Sequence, residues 1–142
     1  PTAVIRSASP TRRVLACTDG STHARTAIET FAHLPWAAQT RVTILAVDDG
    51  RSDPTKSSEE AQAILHGAGV QSSTSITKGK PTREILRHIE DHDPHLVTIG
   101  TRGLTGWRRL RLGSTAGHLL RSAPCNTLVA CVHDGIEDAD QR

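Results

Sequence analysis

Residues 100–115 read GTRGLTGWRRLRLGST, and their spacing suits an anion: Gly100, Gly103, then nine residues to Gly113, with Ser114 and Thr115 directly after it. Glycines leave backbone N–H groups open to close approach because no Cβ stands in the way. A helix beginning at Ser114 and Thr115 adds unpaired donors and about half a positive charge at its N-terminus. The two hydroxyls can donate to phosphate oxygens or cap the helix, and Arg102 brings a planar fork of donors. The chemistry these residues share is a polyphosphate site. It is neither of the two common phosphate loops, since the chain has no GxxxxGKS or GxxxxGKT and no compact GxGxxG.

Such a loop has to be carried by strands and helices, and the hydrophobic pattern supplies them. Val14 to Cys17 is a short continuous apolar run closed by Thr18, Asp19, Gly20 and Ser21, the pattern of a strand buried on both faces. Ala24, Ala27, Ile28, Phe31 and Ala32 form one stripe of a helix that Pro35 ends. Val42 to Val47 is a second buried strand, closed by Asp48, Asp49 and Gly50. After a polar loop over 51–56, Ser57 and Glu60 make a capping box that starts a second helix. Val70 to Lys78 is β-branched but poorly apolar, as an edge strand should be. Pro81 opens a third helix that stops before Asp93 and Pro94. His95 to Ile99 is a third interior strand. Ala116, Leu119, Leu120 and Ala123 mark a fourth helix, and Thr127 to Val132 a last strand.

Strands alternating with helices predict an α/β fold: a single-domain, open, five-stranded parallel sheet with helices on both faces. Residues 1–11 are expected to be a flexible lead-in with nothing to pair with, 12–133 the domain, and 134–142 a polar tail. In such a sheet ligands sit beyond the carboxyl ends of the strands. The loops that start at Thr18, Val47 and Gly100 meet there.

Composition bounds the function. The 142 residues make one domain, and 17 Lys+Arg against 15 Asp+Glu leave +2, which is not the polycation that wraps DNA. No window approaches about 18 consecutive apolar residues, and PTAVIRSASPTRR has no apolar signal core. Three cysteines without a CxxC pair fit a reducing compartment, so the expected location is the cytoplasm, away from membranes. Phe31, Trp36 and Trp107 are the only aromatic residues, which argues against a base-stacking platform and against nucleic acid as a partner.

The sequence resembles the universal stress proteins, and specifically their ATP-binding branch. VLACTDGST, TILAVDD, GKPTREIL and the long block IGTRGLTGWRRLRLGSTAGHLLRSAPCNTLVACV carry the resemblance. It implies an adenine nucleotide α-hydrolase-like sheet, in the order 3-2-1-4-5 when the expected strands are counted along the chain. It further implies that the Val47 backbone meets the adenine edge, and that Cys17, Thr18 and Asp19 line the nucleoside. Ile99, Gly100, Arg102, Gly103 and Leu104, with Gly113, Ser114 and Thr115, would hold ribose and phosphates. A triphosphate brings about four negative charges, so Mg2+ or Mn2+ is expected beside Asp19, which would reach it through water. The chain departs from the family at Cys17, where a small residue or proline is usual, and at Asn126 and Thr127, where proline and valine follow Pro124-Cys125. Its second-helix region is also short.

The implied function is an ATP-binding stress-response regulator with slow or no hydrolysis, in which nucleotide occupancy biases dimer surfaces or the binding of a regulatory partner. No catalytic base is evident, and a weak ATPase is an alternative. A second alternative is a partner or nucleic-acid module that uses Arg108, Arg109 and Arg111 beside Trp107, a run that otherwise reads as a solvated lid. A nucleotidyl-transfer enzyme of related fold would need HxGH or SGGxDS, and neither occurs. His88 and His92 stand one helical turn apart without a third ligand and read as a solvated face. Cys17 and Cys131 read as buried hydrophobes, and Cys125 as partly exposed. The last strand, Asn126 to Val132, would be an apolar edge that pairs with its copy to make a homodimer.

Overall fold

Residues 2–101 and 114–130 are described by the computed structural model, and one six-stranded sheet runs through them. The strands are β1 (Thr2–Val4), β2 (Arg13–Thr18), β3 (Arg41–Asp48), β4 (Gln71–Lys78), β5 (Leu96–Gly100) and β6 (Asn126–Ala130), in the order β1-β6-β5-β2-β3-β4. The helices are α1 (Thr22–Ala32), α2 (Pro54–Gly67), α3 (Pro81–His92) and α4 (Ser114–Ser122), with one 3-10 turn at Ala37–Gln39. β2 to β6 are parallel in the expected order.

The apolar runs are continuous because each central strand is covered twice. Leu15 and Cys17 of β2 pack with Leu45, Val97, Ile85, Ile89 and Leu119, in the layer formed by α3 and α4. Val14 and Ala16 pack with Ile28, Phe31, Ala61 and Leu65, in the layer formed by α1 and α2. Phe31 is fully buried, a burial that contributes about 1.5–3 kcal/mol, and its ring meets Trp36 edge-on at 5.9 Å. β4 alternates in exposure and leaves Ile76 in water, as an edge strand does. At the lower rim His95 Nδ1 accepts the N–H groups of Arg12 and Arg13, both at 3.1 Å, and the Arg13 guanidinium donates to the Asp93 carbonyl. This fastens the start of β2 to the turn before β5. No helix among the described residues is long and apolar enough to cross a membrane.

Three expectations are corrected. The first eleven residues do find a partner: β1 pairs antiparallel with β6, Thr2 opposite Val129 and Val4 opposite Thr127. Asn126 makes this possible, because its carboxamide binds the backbone of the incoming segment as a proline could not. Its Oδ1 accepts from Arg6 N–H (2.6 Å) and Ser7 N–H (2.9 Å), and its Nδ2 donates to the Ser7 carbonyl (3.0 Å). The last strand is therefore not the sheet's outer edge. Second, α2 starts a turn before the Ser57–Glu60 box. Asp53 caps it, accepting from Thr55 N–H (3.0 Å) and Lys56 N–H (3.2 Å), and Pro54 occupies the first helical position. The helix is 14 residues long, and Ser57 and Ser58 are buried inside it with their hydroxyls returned to the carbonyls of Asp53 and Thr55. Third, Cys125 is buried, having joined the same core as Cys17.

Candidate functional site

From β2 the chain moves outward to β3 and β4 on one side, then crosses back to build β5 and β6 on the other. The strand order thus reverses between β2 and β5, and a crevice opens above their carboxyl ends. In register Ala16 stands between Ile44 and Thr98, so Thr18, Ala46 and Gly100 finish at one level, with Val47 one residue beyond. Cys17, Val47 and Ile99, near the ends of these strands, are buried members of one apolar cluster. The structure brings together the described site residues expected from the sequence on β2, β3 and β5.

The turn after β2 is held by its own side chains. Asp19 Oδ1 accepts the Ser21 N–H at 2.9 Å, Thr18 Oγ1 accepts the Gly20 N–H at 3.2 Å, and Ser21 Oγ caps α1 by accepting the Ala24 N–H at 3.2 Å. Gly20 has φ +79°, and a Cβ there would lie 2.7 Å from Ser57 Oγ. Asp19 therefore makes an Asx turn at the mouth of the crevice, where its half-buried carboxylate is held in place.

Gly100 answers a different need from the open amide that its spacing suggests. A Cβ there would stand 2.5 Å from the Ala24 backbone nitrogen and 2.6 Å from the His23 carbonyl carbon. The end of β5 is thus pressed against the first turn of α1. The next residue is committed as well: Thr101 N–H donates to the Ala130 carbonyl (3.0 Å), and its Oγ1 lies 3.4 Å from His23 Nδ1.

Ser114 is exposed at the start of α4, the helix that follows β5 in the chain, and Thr115 is half-buried. The Thr115 hydroxyl lies 2.9 Å from the hydroxyl of Thr82, the second residue of α3. Two helix N-termini, each with the partial positive charge of its helix dipole, therefore meet through a hydroxyl pair. Sequence reasoning passed over Thr82. Its signal was a hydroxyl residue directly after the opening proline of a helix. Arg102, Gly103, Leu104 and Gly113, and the run of Trp107, Arg108, Arg109 and Arg111, lie outside the described residues, as does Cys131.

Burial pushes the Cys17 thiol far above its ordinary range, with Cys125 adding to the effect, and burial raises Cys125 in the same direction. Neither is an activated nucleophile. His88 and His92 stack at 4.1 Å, and burial, then the neighbouring imidazole of His92, pushes His88 down. Among the described residues no three His, Cys, Asp or Glu side chains gather as a metal site would need.

Comparison with known proteins adds to this geometry. The family model described as "Universal stress protein family" matches residues 10–130. The chain is 25% identical over 143 residues to the universal stress protein YxiE of Bacillus subtilis, an alignment covering 82% of this chain and 97% of that protein. Among solved structures it superimposes on a universal stress protein in complex with cAMP with a TM-score of 0.69 at 22% identity, covering 88% of this chain and 98% of the other. A universal stress protein family member from Arabidopsis thaliana with AMP bound gives a TM-score of 0.67 at 16% identity, covering 89% and 94%.

Proposed function

The chain belongs to the universal stress protein family, and from that premise we propose that it is a cytoplasmic stress-response regulator that binds ATP in the crevice above β2 and β5. The observation that carries the reading is that the Asp19 turn, the end of β5 and the starts of α3 and α4, the last two joined through Thr82 and Thr115, all lie at the carboxyl-terminal end of the parallel strands. Adenine lies along the Val47 backbone, while Ser114, Thr115 and the glycine-rich segment with Arg102, Gly103, Leu104 and Gly113 receive the phosphates. That relatives of the same fold are described with cAMP and with AMP supports an adenine nucleotide.

The donor set fits a hard divalent cation held mainly by phosphate and water. Asp19 offers one carboxylate at the mouth of the crevice, with Oδ1 already engaged by Ser21 N–H, so it acts on Mg2+ or Mn2+ by charge and through water. The role of these residues is to hold a ligand, with turnover slow or absent, and no catalytic base is assigned. Two copies of the chain pair through the last strand where β1 does not occupy it, and nucleotide occupancy biases the surfaces offered to a regulatory partner. Isothermal titration with ATP, ADP, AMP and cAMP in the presence of Mg2+ tests the ligand: saturable binding of ATP is expected, and silence toward all four nucleotides refutes it.

A further inference from the structure

β1 and β6 carry the same three-residue pattern, Thr2-Ala3-Val4 against Thr127-Leu128-Val129. They pair antiparallel with Ala3 opposite Leu128, Thr2 opposite Val129 and Val4 opposite Thr127. A two-fold pairing of β6 with its own copy, centred on Leu128, would place Thr127 opposite Val129, Leu128 opposite Leu128 and Val129 opposite Thr127. β1 thus matches the register of a β6 pair centred on Leu128, with Ala3 in place of a leucine.

We propose that β1 is a displaceable cover: it stands in for the second copy's β6, and its release exposes the edge through which two chains pair. The inference rests on the pairing of copies through the last strand and is independent of nucleotide. Ala3, opposite Leu128 in this pairing, is exposed. The grip of the cover is concentrated in Asn126, which holds the backbone of Arg6 and Ser7 through three hydrogen bonds, and in the Arg6 guanidinium, which donates to the Leu120 carbonyl. Because the cover belongs to the same chain, it competes at an effective concentration of about millimolar, so a copy displaces it only where the grip is weakened or the protein is concentrated. An isologous pair formed in this way would replace the pairing of Ala3 with Leu128 by a pairing of Leu128 with Leu128 at the two-fold axis.

Two full-length variants move the balance in opposite directions. Asn126→Ala removes the grip, and Ala3→Leu strengthens the cover by giving it the missing leucine at an exposed position. Sedimentation velocity over a concentration series, without nucleotide, is expected to show self-association at least about tenfold tighter in Asn126→Ala and weaker than the parent in Ala3→Leu. Hydrogen exchange of the 126–130 peptide, read in dilute protein, is expected to speed up in Asn126→Ala and slow down in Ala3→Leu. Unchanged exchange in both variants overturns the cover. Faster exchange in Asn126→Ala with a monomer at every concentration overturns it as well, by removing the second copy as the competing occupant, and leaves the nucleotide reading untouched.

Discussion

In Gly100→Ala the added methyl carbon meets backbone on its far side, 2.5 Å from the Ala24 nitrogen and 2.6 Å from the His23 carbonyl carbon, with His23 Cβ at 2.9 Å. Ordinary contact begins near 3.4 Å, so close to 1 Å of separation has to be found between two main-chain segments. β5 cannot yield easily, because it is paired with β2 on one side and β6 on the other. The first turn of α1 yields instead, which pulls on the Ser21 cap and the Asp19 turn. Overpacking of this kind costs about 1–3 kcal/mol. With a urea dependence of about 1.5 kcal/mol per molar, the unfolding midpoint falls by about 0.7–2 M. The measurement is a urea titration of nucleotide-free protein. Gly67→Ala serves as the control, since nothing lies within 4 Å of a Cβ there and no fall is expected. If Gly100→Ala unfolds at the parent's urea concentration, the glycine is not there to admit α1 and the packing argument fails.

Three further outcomes follow from the same geometry. Asp19→Asn keeps an oxygen for the Ser21 N–H, so thermal stability is expected to hold while the dependence of ATP affinity on Mg2+ weakens; titration with and without cation reads this, and an unchanged dependence removes Asp19 from the cation. Thr98 is fully buried with its hydroxyl unpartnered, so Thr98→Val is expected to raise stability by about 1 kcal/mol in urea, and a loss would show that the hydroxyl was bonded. The Cys17 thiol is raised in the folded state, so as pH climbs past the unfolded value of about 8.5 the unfolded chain loses its proton first and stability falls, by up to about 1.4 kcal/mol per pH unit for each such thiol. Cys17→Ala is expected to flatten the alkaline decline between pH 8 and 10, and equal slopes in parent and variant would contradict the burial.

The central sheet was legible because its strands are covered on both faces, and a run such as Val14 to Cys17 has no other comfortable environment. The third helix was legible at both ends, since Pro81 and Asp93-Pro94 act locally. What escaped was set by partners distant along the chain. Thr2-Ala3-Val4 is too short to announce a strand without the Asn126 carboxamide, which lies 120 residues from the Arg6 amide it holds. The start of α2 was hidden because a second capping pattern, Ser57 with Glu60, sits one turn inside the one that Asp53 and Pro54 make. At the site, hydroxyls and an acid in the right order were readable. The close approach of α1 that demands Gly100, and the bond from Thr82 to Thr115, belong to packing that no spacing encodes.

The wide separation of β1 from β6 also sets a schedule for synthesis. The Asn126 side chain that holds Arg6 leaves the ribosome 120 residues later, a wait of about 6–24 s at ordinary elongation rates. Throughout that interval β2, β3 and β4 can zip together with α1 and α2, while the β1 segment waits for its partner strand. On a polysome, where nascent chains stand close together, the first β6 that such a segment meets need not be its own.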